Sequence, residues 1–262
     1  MRGPVPGRGT RLDHLIVGVH PVYEALVRGD RPIERIHIRR GSVPEKVRRI
    51  LGLAAERGIP VRREGRDLLD RQAGGRLHQG VVAVAGSIGA VGFESLLAGE
   101  CPLVVVLDGV QDPQNLGAVI RTAETAGATG VVVTERRSAP LSAAVSRASA
   151  GAVEHVPLAR VGNLVSALKI MKSTGIWVVG VDPAGEALWT DFDYRLPVAL
   201  VLGGEHRGIR RLVREACDIV VRVPMGGRIE SLNVSVAAGI VLFEAVRQRR
   251  TSLPILESGY PI

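Results

Sequence analysis

The first 90 residues alternate between short apolar runs and stretches in which apolar residues recur at helical spacing. This pattern predicts a helix over 20–29, a strand over 33–40, a helix over 44–58 and a strand over 81–86, and each helix ends at a glycine. Such an alternation is typical of a small α/β domain. Six arginines lie on or near these elements and could form one basic face: Arg39, Arg40, Arg48, Arg49, Arg62 and Arg63.

Beyond residue 102, nearly continuous apolar runs alternate with longer helical patterns. The predicted strands are 103–108, 131–134, 176–181, 198–202 and 219–223. The predicted helices are 113–126, about 141–150, 162–174, 208–216 and a closing helix that begins within 231–233. Strands without a polar face indicate a largely parallel sheet that is covered on both sides.

Glycines and weak periodicity mark the boundary between these two regions. We therefore expect a basic, disordered tail over 1–12, a small α/β domain over 13–86, a linker over 87–101 and a second α/β domain over 102–262. A chain of 262 residues is long enough for two such domains.

Charge divides along the same boundary. Residues 1–90 carry 17 Lys or Arg against 9 Asp or Glu, whereas residues 91–262 carry 17 against 17, so the whole excess of +8 lies in the first third. Only three of the cations are lysines, and guanidinium groups suit bidentate contacts with phosphate. A polyanionic partner follows, although the same arginines would also suit a solvated surface.

Several classes of protein do not fit the sequence. Cys101 and Cys217 are far apart and lack neighbours at metal-ligand spacing, so neither a disulfide framework nor a metal site is expected. No apolar run approaches the roughly 18 residues of a membrane span. The basic start has no apolar run behind it, which disfavours a secretory signal and favours the cytoplasm.

Three loops that follow predicted strands are candidates for a binding site, because open α/β sheets bind ligands at the carboxyl ends of their strands. In the first, Asp112 and Pro113 are typical of a helix start, and Asn115 and Arg121 fall outside the apolar stripe of Leu116, Val119, Ile120 and Ala123. An ordinary surface amide and a surface arginine would give the same pattern.

The second loop contains Gly203, Gly204 and Glu205, where glycine permits close backbone approach or positive φ. It lacks the signatures of a P-loop and of a dinucleotide fingerprint, and a purely structural turn remains an alternative. In the third loop, Ser231, Asn233 and Ser235 stand where a helix presents its unbonded N–H groups. A simple cap needs only one of these side chains, so we expect the floor of a cofactor site.

The stretches NLGAVIRTAETAG, LVLGGEHRGIRR and VPMGGRIESLNVSVAAGIVLFEA resemble, in order, the three motifs of the SpoU/TrmH family of SPOUT-class RNA 2′-O-methyltransferases. The similarity extends to the RlmB-type enzymes of that family, which methylate a guanosine ribose in large-subunit (23S) ribosomal RNA. The stretches GVHPVYEAL and RLHQGVVA resemble the family's N-terminal substrate-binding domain, which is similar to ribosomal protein L30e.

This resemblance implies a SPOUT domain with a deep trefoil knot, S-adenosylmethionine as cofactor, ribosomal RNA as partner and a homodimer with active sites at the subunit interface. The implied cofactor-binding residues are Gly203, Val223, Met225, Gly226 and Leu232. The implied catalytic residues are Asn115, Arg121, Glu205, Ser231 and Asn233. The implied RNA-binding residues are Arg39, Arg40, His78 and Gln79.

Arg121 matches an arginine that some accounts of the family treat as a general base. Because a guanidinium group keeps its proton at neutral pH, we expect Arg121 instead to bind the phosphate of the target nucleotide and to stabilise the developing alkoxide. His206 and Arg207 stand where relatives often carry small or acidic residues, which leaves the substrate contacts near the second loop open.

Other functions would use much of the same sequence. The target could be transfer RNA or a ribosomal adenosine, and an inactive RNA-binding assembly factor could keep the fold, although Asn115, Arg121, Glu205 and Asn233 are intact. A nicotinamide-dependent oxidoreductase would need a glycine fingerprint after residue 108, and LDGVQDPQNLG does not provide one.

Overall fold

The computed structural model describes residues 15–205 and 208–250, so the predicted tail over 1–12 lies outside the described residues. Within them, no helix has the length and apolar character needed to cross a membrane. The chain divides into two compact units. The smaller contains the described residues up to Ala90, together with Asp112–Arg121 and Ala139–Val156, and the larger contains the rest.

The smaller unit begins with a four-stranded sheet flanked by helices. Its elements are β1 Leu15–Val17, α1 Val19–Arg28, β2 Ile33–Arg39, α2 Glu45–Glu56, β3 Val61–Glu64, α3 Arg66–Ala73 and β4 Val81–Ala85. The strands are ordered β1-β4-β2-β3, and only β2 and β3 run parallel. The four elements predicted from periodicity are confirmed, whereas β1, β3 and α3 were not predicted.

The remaining elements follow in chain order. They are β5 Leu103–Asp108, α4 Pro113–Thr125, β6 Gly130–Thr134, α5 Ala143–Ala148, β7 Leu158–Val161, α6 Leu164–Ser173, β8 Trp177–Val181, β9 Ala187–Leu188, β10 Val198–Gly203, α7 Arg211–Ala216, β11 Ile219–Arg222 and α8 Val234–Arg250. All ten elements predicted beyond residue 102 are present. The two added strands, β7 and β9, have only four and two residues.

The larger unit is built on a seven-stranded sheet ordered β7-β6-β5-β10-β8-β11-β9. Every pair of neighbouring strands is parallel, which confirms the predicted parallel sheet. The carboxyl ends of the strands therefore meet at one edge, and Gly203 at the end of β10 pairs with Asp108 at the end of β5. The loops after β8, β10 and β11 are thereby brought to the same place.

Part of the segment predicted as a linker, 87–101, is regular structure in the larger unit. Phe93–Leu97 forms a 3₁₀ helix, and Leu96 is buried in the core beneath β5 and β6. Val91 pairs with Ala159 in a parallel bridge.

The segment Ala139–Val156 contributes to the core of the smaller unit, although it lies far along the chain. Ala143 of α5 is buried against Leu15, Val17, Leu69 and Val82. Arg31 forms an ion pair with Glu154 at 2.8 Å, and the two side chains are only 4% and 5% exposed. Burial raises the pKa of Glu154 despite this partner. The core of this unit thus depends on residues from two separate parts of the sequence.

Candidate functional site

A cavity of about 420 Å³ opens at the carboxyl edge of the seven-stranded sheet. Four segments line it, one after each of β8 and β11, one at the end of β10 and one at the start of α8. The lining residues are Val181, Asp182, Pro183, Ala184, Leu202, Gly203, Gly204, Glu205, Gly208, Val223, Met225, Glu230, Ser231, Leu232, Val234 and Ala237. The glycine turn after β10 and the bend that follows Pro224 therefore meet, as the candidate site requires.

The turn after β10 depends on glycine because backbone segments approach one another closely. A Cβ on Gly203 would overlap the carbonyl carbon of Gly208, and a Cβ on Gly204 would lie 2.5 Å from the carbonyl oxygen of Gly109. The predicted close approach is confirmed at both positions. Positive φ, the other possibility, occurs at Gly208 (φ 59°).

The entrance to α8 separates the three polar residues that stand out in the sequence. The helix begins at Val234, just after the predicted range 231–233. Asn233 caps it, because its Oδ1 accepts hydrogen bonds from the backbone N–H of Ser235 at 2.9 Å and from Ser235 Oγ at 2.6 Å. Ser231 instead lines the cavity. Two of the three residues therefore shape the helix start and one faces the cavity.

Carboxylates dominate the charged groups around the cavity. Asp182, Glu205 and Glu230 line it, and the described part of the lining includes no lysine or arginine. Asp182 Oδ1 accepts hydrogen bonds from Arg214 Nη1 and from the backbone N–H of Ala184, both at 2.9 Å. Such a lining suits a ligand that carries positive charge.

Sequence reasoning missed Asp182 and Glu230 as lining residues. Asp182 directly follows β8, so the rule that selected the other three loops could have found it. Glu230 lies in an irregular stretch before α8, where apolar periodicity carries no information.

The predicted site residues separate into three groups. Gly203, Glu205, Val223, Met225, Ser231 and Leu232 line the cavity. Gly226 and Asn233 adjoin lining residues in sequence, whereas Asn115 and Arg121 lie on α4 and are not among the lining residues. His206 and Arg207 lie outside the described residues.

The start of α4 has the predicted construction. The side chain of Asp112 accepts hydrogen bonds from the backbone N–H groups of Gln114 and Asn115, both at 3.2 Å. The predicted stripe of Leu116, Val119, Ile120 and Ala123 is fully buried, while Arg121 is exposed. The helix therefore holds Asn115 and Arg121 on faces other than its core face.

A second concave region, of about 730 Å³, lies in the smaller unit. We call it the arginine cleft. Its lining includes Arg39, Arg40, Arg66, Arg76, His78 and Gln79, with Asp70 as a carboxylate among them. All four residues predicted to bind RNA thus line one cleft, and two further arginines join them.

His78 has a defined role in this cleft. The backbone N–H of Gly80 donates to Nδ1 at 2.9 Å, so in the neutral ring the proton lies on Nε2, which donates to Asp70 Oδ1 at 3.0 Å. The side chain is buried and both ring nitrogens have internal partners. His78 therefore holds the loop, whereas its neighbour Leu77 is 73% exposed.

No group of three His, Cys, Asp or Glu side chains within 15–205 and 208–250 is arranged to hold a metal ion. Cys217 is one of the two cysteines, and burial raises the pKa of its thiol to about 12. It therefore stays protonated at neutral pH and is a poor nucleophile or metal ligand.

Two family models cover most of the chain. A model described as the SpoU rRNA methylase family matches residues 102–243, and a model described as RNA 2′-O ribose methyltransferase substrate binding matches residues 15–87.

Individual proteins are similar over nearly the whole length. A 23S rRNA (guanosine-2′-O-)-methyltransferase RlmB of Vibrio parahaemolyticus is 42% identical over 243 residues, which cover 90% of this chain and 98% of the relative. The RlmB protein of Xanthomonas axonopodis pv. citri is 44% identical over 240 residues, covering 89% and 96%. The solved structure of the SpoU methyltransferase AviRb from Streptomyces viridochromogenes with its cofactor AdoMet has a TM-score of 0.76, 28% identity and 90% coverage of each chain.

Proposed function

This chain belongs to the SpoU rRNA methylase family, and we propose on that premise that it transfers a methyl group from S-adenosylmethionine to the ribose 2′-OH of a guanosine in 23S ribosomal RNA. One observation carries the proposal. The second and third motifs of the family meet around a single cavity at the carboxyl edge of a parallel sheet, where such folds bind their ligands.

The residues of the cavity fit S-adenosylmethionine. Its volume of about 420 Å³ falls in the usual range for small-molecule sites, about 300–1,000 Å³. Val181, Val223 and Leu232 offer apolar surface, and the carboxylates of Asp182, Glu205 and Glu230 suit the positive charges of the ligand. When bound, the cofactor supplies a methyl group on a positively charged sulfur.

The protein's own residues would then align the ribose hydroxyl and stabilise its developing negative charge. We assign Arg121 to the phosphate of the target nucleotide and to the incipient alkoxide, because a guanidinium group remains charged. Asn115 and Ser231 would orient the nucleotide, Glu205 would stand at the cavity wall, and Asn233 would fix the start of α8 through its bonds to Ser235. Gly203, Val223, Met225, Gly226 and Leu232 would contact the cofactor.

We assign the arginine cleft to RNA. Arg39, Arg40, Arg66 and Arg76 line it, and guanidinium groups bind phosphates in bidentate geometry. Gln79 is exposed, so it suits direct contact with a nucleotide, whereas His78 positions the loop that carries it. On this basis residues 13–86 form the L30e-like RNA-binding domain, 87–101 the connection and 102–262 the catalytic SPOUT domain with its trefoil knot.

The decisive experiment incubates the protein with methyl-labelled S-adenosylmethionine and with unmodified 23S rRNA, 16S rRNA or transfer RNA, and then maps the labelled nucleotide. We expect label on one 23S guanosine at the ribose. Label on transfer RNA or on a ribosomal adenosine would support the alternative substrates. RNA binding without any methyl transfer would indicate an assembly factor and would contradict the proposal.

We also propose that the protein acts as a homodimer in the cytoplasm. Helix α8 exposes Val236 (49%) and Phe243 (48%), and Ile240 lies between them at helical spacing. A second copy of the chain would cover this apolar face. Sedimentation equilibrium should show a dimer, and Phe243→Glu should shift it toward monomer. A wild-type protein that is monomeric at micromolar concentration would contradict this part of the proposal.

A further inference from the structure

Asp108 is a fully buried carboxylate at the end of β5, the strand that pairs with β10 along its whole length. Its side chain is 0% exposed. Oδ1 accepts hydrogen bonds from Nε and Nη2 of Arg210, both at 2.6 Å, and Oδ2 accepts the backbone N–H of Arg210 at 2.8 Å. One carboxylate thus receives three hydrogen bonds from a single residue.

The same residue also binds the other arm of the glycine turn. The backbone N–H of Gly204 donates to the carbonyl oxygen of Asp108 at 3.0 Å, and the N–H of Gly208 donates to the carbonyl of Gly204 at 3.0 Å. Gly203, Gly204, Glu205 and Gly208 line the cavity, while Arg210 follows two residues later. Asp108 therefore joins the strand end before the turn to the residue that leaves it.

From this geometry we propose that Asp108, acting through Arg210, is a positioning residue for the cofactor. It fixes the spacing of the two arms of the turn, and so holds the wall formed by Gly203 and Gly204 in the shape that receives S-adenosylmethionine. Asp108 is not itself among the residues that line the cavity. The inference rests on the proposed role of the cavity as the cofactor site.

The negative charge and the two acceptor atoms of Asp108 are both required. In Asp108→Asn the amide nitrogen can only donate, so it would face either the guanidinium or the backbone N–H of Arg210, which also only donate. At least one of these hydrogen bonds is broken whichever way the amide turns. The side chain keeps its size, so the substitution leaves no cavity.

The chain offers a matched control in Asp218. Its Oδ2 accepts the backbone N–H of Val178 at 2.8 Å and its Oδ1 pairs with Lys172 Nζ at 2.7 Å. It therefore combines a backbone bond with a cation on the same sheet, but it does not line the cavity or bind the turn. Asp218→Asn removes equivalent chemistry from a place where no effect on the cofactor is expected.

Two measurements on the full-length protein test the proposal. Calorimetry should show that Asp108→Asn raises the Kd of S-adenosylmethionine about tenfold, which equals about 1.4 kcal/mol, while Asp218→Asn leaves it unchanged. Amide hydrogen exchange by NMR, without cofactor, should accelerate at Gly204 and Arg210 in Asp108→Asn and remain as in wild type in Asp218→Asn. Arg210→Gln keeps the backbone donor, so it should have a smaller effect on both, and it serves as a second test if Asp108→Asn folds poorly.

A merely structural role predicts a different result. In that case Asp108→Asn would lower the unfolding temperature, while the folded protein would bind S-adenosylmethionine with the wild-type Kd. That outcome, or equal weakening by Asp108→Asn and Asp218→Asn, would overturn the proposal. If wild-type protein bound no S-adenosylmethionine, the function proposed for the cavity would fail, and unchanged exchange at Gly204 and Arg210 would separately reject the positioning role.

Discussion

The cavity at the edge of the seven-stranded sheet and the arginine cleft are comparable in kind but opposite in charge. The cavity has three carboxylates among its described lining residues, whereas the cleft has four arginines and Asp70. Their construction differs as well. The cavity wall is backbone that only glycine permits at Gly203 and Gly204, while the cleft is formed by long side chains around a loop held by His78.

This difference teaches how one chain with a net charge of +8 can bind both a cation and a polyanion. The positive charge is concentrated where phosphate must be met, and it is kept out of the described lining of the cofactor cavity. Salt should therefore weaken RNA binding strongly and cofactor binding little, because released counterions dominate only the first interaction. Four substitutions test this division, from the largest expected effect to the smallest.

Arg121→Ala should separate chemistry from both binding regions. Arg121 is exposed on α4 and is not a lining residue of either region. Loss of a charged group that stabilises the reaction should lower the rate of methyl transfer about 10²–10³-fold in single-turnover assays. Calorimetry should find the Kd of S-adenosylmethionine nearly unchanged. Arg121→Lys keeps the charge without the planar fork and should recover part of the rate, whereas wild-type turnover in Arg121→Ala would refute the assignment.

Gly203→Ala should damage the cavity and spare the cleft. The added Cβ would overlap the Gly208 carbonyl carbon, and backbone on both sides limits relaxation. Overpacking of this kind typically costs about 1–3 kcal/mol. We expect the Kd of S-adenosylmethionine to rise about tenfold or more, measured by calorimetry, with unchanged RNA affinity. Gly226→Ala is the control, since a Cβ there meets nothing within 4 Å. Equal loss of affinity in both variants would contradict the predicted importance of the turn.

The double substitution of Arg39 and Arg40 by Ala should have the converse effect. The slope of log K against log salt for RNA binding should fall by about two, or about 0.7–0.9 for each phosphate that is no longer bound, with about tenfold weaker binding. Filter binding at several salt concentrations measures this, and cofactor affinity should not change. The matched control replaces Arg48 and Arg49, which are exposed on α2 and outside the cleft lining. If the control weakened RNA binding as much, the positive surface would act without a defined cleft.

His78→Ala should have the smallest effect of the four. It removes the hydrogen bonds to Asp70 and Gly80 that hold the loop, each worth about 0.5–1.5 kcal/mol net. We expect RNA binding about threefold weaker and a lower unfolding temperature by calorimetry. Leu77→Ala, at an exposed neighbouring position, should change stability by no more than about 0.5 kcal/mol. Unaltered RNA binding and stability in His78→Ala would show that the loop needs no such support.

Apolar periodicity predicted the strands of the larger sheet because each is buried on both faces, and the caps of α4 because Asp112, Pro113 and Gly127 have specific backbone roles. It failed for β3, whose sequence VRRE exposes two arginines, and for β9, which has two residues. Short edge strands depend on pairing partners rather than on their own composition.

The candidate site was predictable to a similar degree. The rule that parallel strands end at one edge is sufficient to predict that Gly203, Met225 and Ser231 lie together. The inward orientation of His78 was not predictable, because it depends on Asp70 eight residues earlier and on a backbone N–H of Gly80. Neither the role of Asp108 nor that of Asp182 follows from residue type alone, since each depends on an arginine of the segment after β10.

The contribution of Ala143 and Glu154 to the smaller unit limits how this protein can be dissected. A fragment that stops at residue 90 would leave the Arg31 guanidinium without its anionic partner and would uncover the apolar surface that Ala143 shields. Removing one member of a buried ion pair typically costs about 3–5 kcal/mol, a large share of the stability of a small domain. Grafting the arginine cleft onto a different enzyme would therefore require a surrogate for the strip between residues 139 and 156.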